Sequence, residues 1–98
     1  MPHASGPLRT VTRVQTGVRM EKRILLVLKG LAGTLDLSLG DLLEGIVLHA
    51  FAGKAPFSPE TLGKIEALKQ VYGLDLSAED SHRLGEAPAA RVPVRPKR

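Results

Sequence analysis

The chain has 98 residues, no cysteine, no tryptophan, and a net charge of +4 from 14 basic and 10 acidic groups. That length fits one small domain with tails, and the missing cysteines exclude disulfides, a cysteine nucleophile and thiolate metal sites. Its 43% apolar content is ordinary for a soluble chain, but a chain this short builds only a thin core of its own, and a pI near 9.9 permits a polyanionic partner without requiring one.

The first dozen residues, with Pro2, Gly6 and Pro7 and little apolar content, read as a disordered N-terminal arm (1–12). They lack a basic start followed by an apolar run, so no secretory signal is expected. The longest apolar stretch, Ile24 to Leu28, falls far short of the roughly 20 residues that span a bilayer. A cytoplasmic protein without a membrane partner is the expectation.

From Arg13 to Met20 the pattern has period two. Val14, Thr16, Val18 and Met20 would face one way, and Arg13, Gln15, Gly17 and Arg19 the other, as in a half-buried strand. The period then lengthens. Ile24, Leu25, Val27, Leu28, Leu31 and Ala32 share one arc of a helix beginning at Glu21, with Lys22, Arg23 and Lys29 opposite and Gly33 as its stop. Leu26 breaks the arc.

Ser38 is the expected N-cap of a second helix, with Asp41 at the capping-box position. Its apolar arc is Leu39, Leu42, Leu43, Ile46, Val47 and Ala50, and Leu48 is a second outward exception. A third helix opens with Ser58 as N-cap, Pro59 at the first helical position and Glu60 in the first turn, and ends at Gly73. Its stripe is Leu62, Ile65, Leu68, Val71 and Tyr72, and it would dock on Leu26 and Leu48. Ser77 to His82 reads as a further helical turn. The final stretch, residues 85–98, carries Arg91, Arg95, Lys97 and Arg98 with three prolines and reads as a disordered basic tail.

A lone strand leaves its backbone N–H and C=O groups without a partner edge. The simplest remedy is the same strand from a second copy, paired antiparallel across a two-fold axis. In this order, strand, helix, turn Leu37-Ser38-Leu39-Gly40 and helix, the run Arg13 to Phe51 resembles the ribbon-helix-helix repressors of the Arc/MetJ/CopG type. The resemblance implies a mostly α homodimer with one short strand per chain, two helices (residues 13–52) and here an additional helix and turn (53–84). Its dimer core would hold Val14, Thr16, Val18, Met20, Leu25, Leu28, Leu42 and Ile46.

Function follows from the same resemblance. The outward positions Arg13, Gln15, Gly17 and Arg19 would enter the major groove of double-stranded DNA, where Arg reads guanine and Gln reads adenine. Gly17 has no side chain to read a base, so specificity would fall to Gln15 and Arg19 or to tandem dimers. Ser38, Leu39 and Gly40 at a helix start, with Lys22 and Arg23, would contact phosphates. The expected function is a homodimeric transcriptional regulator.

A second reading is a dimeric protein-interaction module, antitoxin-like or structural, that uses the third helix and the tail for a protein partner and binds DNA weakly or not at all. On that reading Arg13 and Arg19 are solvated surface charges. His3, His49 and His82 are scattered, so no metal is expected. Asp41 and Glu44 suit the helix dipole better than acid–base chemistry, and no phosphate loop or nucleophile set appears. Neither an enzyme nor a cofactor is expected.

Overall fold

Local signals set most of the helix boundaries. The structure is a computed structural model that describes residues 8–86. It holds α1 (Lys22–Thr34), α2 (Leu39–Phe51), α3 (Pro59–Tyr72) and a single 3-10 turn (Ala78–Asp80). The expected basic tail and the first seven residues lie largely or wholly outside the described residues.

Each helix starts on a side-chain cap. Ser38 Oγ accepts the Asp41 N–H at 3.1 Å, and Ser58 Oγ accepts the Thr61 N–H at 3.2 Å. For α1 the cap is Glu21, whose carboxylate accepts the Ile24 N–H at 3.0 Å. That bond, with help from Arg23, lowers the Glu21 pKa, and the fixed negative charge complements the helix dipole.

The helix ends share one design. The Leu37, Lys54 and Leu74 N–H groups each reach back to a carbonyl five residues earlier, at 2.9 Å in all three cases. This is the Schellman closure, and it requires a left-handed residue just before the reaching N–H. Gly53 and Gly73 take that position with φ of 70° and 67°. After α1 the residue is Asp36, with φ of 60°. The expected stop at Gly33 is therefore corrected. Gly33 lies inside α1, because Asp36 also tolerates the left-handed region and takes the closing position, with Ala32 and Gly33 supplying the carbonyls.

The core is small and centred on α1. Leu31, Ala32 and Leu42 are buried together, and Leu28, Leu35, Ile46, Phe57, Ile65 and Leu68 pack around them. α1 lies against both α2 and α3, whereas no Cα of α2 comes within 8 Å of a Cα of α3. α3 lays Leu68 over Gly30, where an added Cβ would stand 2.9 Å from Leu68 Cδ2 and the leucine would have to shift. The expected docking of α3 on Leu48 is corrected for the same reason. α3 uses the α1 side of the core, and Leu48 stays 66% exposed.

The ribbon-helix-helix fold is also corrected. Among the described residues there is no strand or sheet, and Arg13 to Met20 carries no regular secondary structure. The residues Leu8 to Met20 form an arm in which every residue is exposed. Val14, Val18 and Met20, expected to point into a dimer core, are 80%, 76% and 37% exposed, and Thr16 is exposed with them. The alternation is present in the sequence, but among the described residues no strand edge receives it. Of the remaining residues expected in that core, Leu42 is buried and Leu25, Leu28 and Ile46 are half-buried within the helical body.

Candidate nucleic-acid interface

The arm carries Arg9, Arg13 and Arg19 and no acid. No backbone hydrogen bond ties Leu8 to Met20 to the rest of the described chain. Two ion pairs hold it instead. Arg13 meets Glu44 on α2 in a bidentate pair, Nε at 2.9 Å and Nη2 at 2.8 Å, and Asp41 lies 3.6 Å away. The pairing raises the Arg13 pKa, chiefly through the Glu44 hydrogen bond, and lowers that of Glu44 through the same bond. Arg19 pairs with Glu86 near the end of the described chain. Both arginines stay open to solvent, with side chains 63% and 82% exposed. Exposed pairs of this kind contribute little stability and exchange readily for another anion.

Arg23 is different. Its Nε donates to Glu21 at 2.9 Å, and its Nη1 donates to the Gly73 carbonyl at 3.0 Å and to Asp75 at 3.1 Å. It links the start of α1 to the end of α3 and closes an open carbonyl there. The geometry commits this expected phosphate contact to the body. Lys22, at the first position of α1, remains exposed.

The start of α2 presents mixed chemistry. Ser38 spends its hydroxyl on the Asp41 N–H, Leu39 is half-buried, and Gly40 is exposed. Asp41 and Glu44 bring negative charge to the same two turns, which opposes a phosphate unless Arg13 stays between them. Gln15 and Gly17 are exposed on the arm, and no hydrogen bond fixes the Gln15 side chain among the described residues.

A cleft of about 480 Å³ opens where α2 and α3 part. Leu35, Leu42, Ile46, Pro56 and Phe57 floor it, and Asp41, His49, Glu60, Thr61 and Lys64 stand around it. His49 Nδ1 lies 2.7 Å from the Gly45 carbonyl, so that nitrogen carries the proton in the bond. Among the described residues no three His, Cys, Asp or Glu side chains are placed to hold a metal ion. No described helix is long and apolar enough to cross a membrane.

Sequence reasoning found the arm's charges but not their partners. Glu44, Glu86 and Asp75 pair with arginines 31, 67 and 52 positions away, and no local pattern encodes such separations. The cleft is lined by residues of α2, α3 and the loops beside them, and no local pattern brings these together. No family model, no curated protein and no solved structure matches the chain.

Proposed function

We propose that the chain acts as a homodimeric DNA-binding regulator that engages duplex DNA with the arm Leu8–Met20. The observation behind this reading is the state of the arm. It is exposed throughout, rich in arginine and free of acid, its arginines engage only exposed carboxylates among the described residues, and no backbone hydrogen bond ties it to the body. A phosphate backbone offers the same arginines a denser array of anions and releases counterions as it takes them. Exposed Gln15 and Arg19 supply side chains able to bond base edges. The second copy is suggested by the large apolar side chains a single chain leaves in water, above all Leu48 at 66% and Phe51 at 83% exposed.

The test is a fluorescence titration of a labelled duplex across a salt series. The triple variant Arg9→Ala, Arg13→Ala, Arg19→Ala should flatten the log–log salt slope by about 2 to 3, at roughly 0.9 for each phosphate no longer neutralised. A wild-type chain that ignores duplex DNA at low salt, or a variant with an unchanged slope, removes this reading. The second reading, a protein-interaction module, is favoured by the exposed Val47, Leu48 and Phe51 at the far end of α2. Loss of DNA binding with an intact dimer would leave that reading in place.

A further inference from the structure

The α2–α3 cleft plays no part in the DNA reading. Its floor is apolar and includes a proline and a phenylalanine, Pro56 and Phe57. Its rim carries two carboxylates, Asp41 and Glu60. Asp41 already faces Arg13, whereas Glu60 makes no ion pair among the described residues. Grooves of this composition suit an extended, proline-containing peptide with basic flanks.

The chain supplies one. Arg91-Val92-Pro93-Val94-Arg95-Pro96 places two valines and Pro93 between arginines, with Pro96 completing a Pro-x-x-Pro spacing just beyond Arg95. We propose that the α2–α3 cleft is a docking site for this segment of the same chain. The valines and Pro93 would cover the floor, and the two arginines would lie at Asp41 and Glu60. Lys64 on the same rim repels the arginines and so favours the acidic positions.

Chain length supports the assignment. The described chain ends at Glu86, which pairs with Arg19. Six positions back along the arm, Arg13 stands 3.6 Å from Asp41, on the rim of the cleft. An extended chain covers at most about 3.6 Å per residue, so those two arm positions are no more than about 22 Å apart. From Glu86 the same limit allows about 18 Å to Arg91 and about 32 Å to Arg95. The reach of the segment is therefore of the same order as the distance to the rim, with Arg95 better placed to arrive there than Arg91.

The absence of cysteine gives a clean test on the full chain. Thr61→Cys on the rim and Val94→Cys in the segment make one introduced pair. Lys29→Cys, exposed on α1 and not on the cleft, with Val94→Cys makes the control. Docking in cis should give monomers cross-linked at a rate independent of concentration and at least about fivefold above the control, since a tethered site sees a high effective concentration. Glu60→Lys, a surface change, should slow that rate about fivefold and leave the control pair unchanged. Cross-linked dimers that increase with concentration would overturn docking in cis, because the segment would then come from a second copy. A rate equal to the control, or one indifferent to Glu60→Lys, would overturn the site itself. Neither outcome depends on DNA binding, so this inference and the proposed function fail separately.

Discussion

The body and the arm hold arginine in opposite ways. In the body, Arg23 binds two carboxylates and the Gly73 carbonyl, and its side chain is 35% exposed. In the arm, Arg13 binds carboxylates alone and is 63% exposed, on a stretch with no backbone bond to the body. Arg23 fastens two helix ends and spends its Nε and Nη1 donors on the body. Arg13 holds a segment in place through contacts that water, salt or a phosphate can replace. Burial and backbone bonding, more than charge, separate a residue that maintains the fold from one available to a partner.

The largest expected contrast is in global stability. Leu31 is 1% exposed at the centre of the core, and Leu31→Ala should lower the unfolding free energy by about 3 to 4 kcal/mol. Val14→Ala, in the arm, should stay within about 0.5 kcal/mol. Urea unfolding monitored by helix content measures both. A comparable loss for Val14→Ala would show that arm and body unfold together and would collapse the contrast.

Smaller effects should appear at the helix ends, inside the body. Gly53 is left-handed with nothing within 4 Å of an added Cβ, so Gly53→Ala meets only the conformational cost, about 1 kcal/mol. Asp36 holds the equivalent position at a non-glycine, and Asp36→Gly should raise stability by about 0.5 kcal/mol. Opposite signs in thermal melts would confirm the shared closure. If both substitutions destabilise, Asp36 contributes something beyond its backbone angle.

Those ends also show what the sequence could reveal. Ser38, Ser58 with Pro59, and Gly73 announce boundaries through local chemistry, and the helices lie there. Gly33 misled because glycine is the usual left-handed residue, while the left-handed residue after α1 is Asp36. Val14, Thr16, Val18 and Met20 misled for a different reason. Alternation reports which side chains share a side, but a strand also needs an edge to pair with, and no local pattern contains that edge. Leu48 shows the same limit. Its apolar character suggested a neighbour, but α1 had already engaged α3 through Gly30 and Leu68. The candidate interface was legible as a set of charges, and its partners were not.

The gentlest perturbation acts on the arm alone. Glu44 has a lowered pKa because Arg13 bonds its charged form. A carboxylate lowered in the folded state contributes its stabilisation above its ordinary value of 4.5 and loses it as the pH falls through the lowered value. The arm should therefore stay clasped to α2 at neutral pH and come free only in acid below 4.5. Asp41 also faces Arg13, at 3.6 Å. A spin label on Gln15→Cys would report the change as increased mobility, with the helix content unaltered. Glu44→Gln should leave the label mobile at neutral pH and remove most of its pH dependence, since of the carboxylates on α2 only Asp41, at 3.6 Å, then still faces Arg13. Added salt at neutral pH should act in the same direction as acid, because exposed pairs are screened over about 10 Å at 0.1 M ionic strength. Mobility that ignores pH, salt and Glu44→Gln would mean that something other than Arg13 fastens the arm. The arginines could then no longer be treated as free to leave their carboxylates for a phosphate.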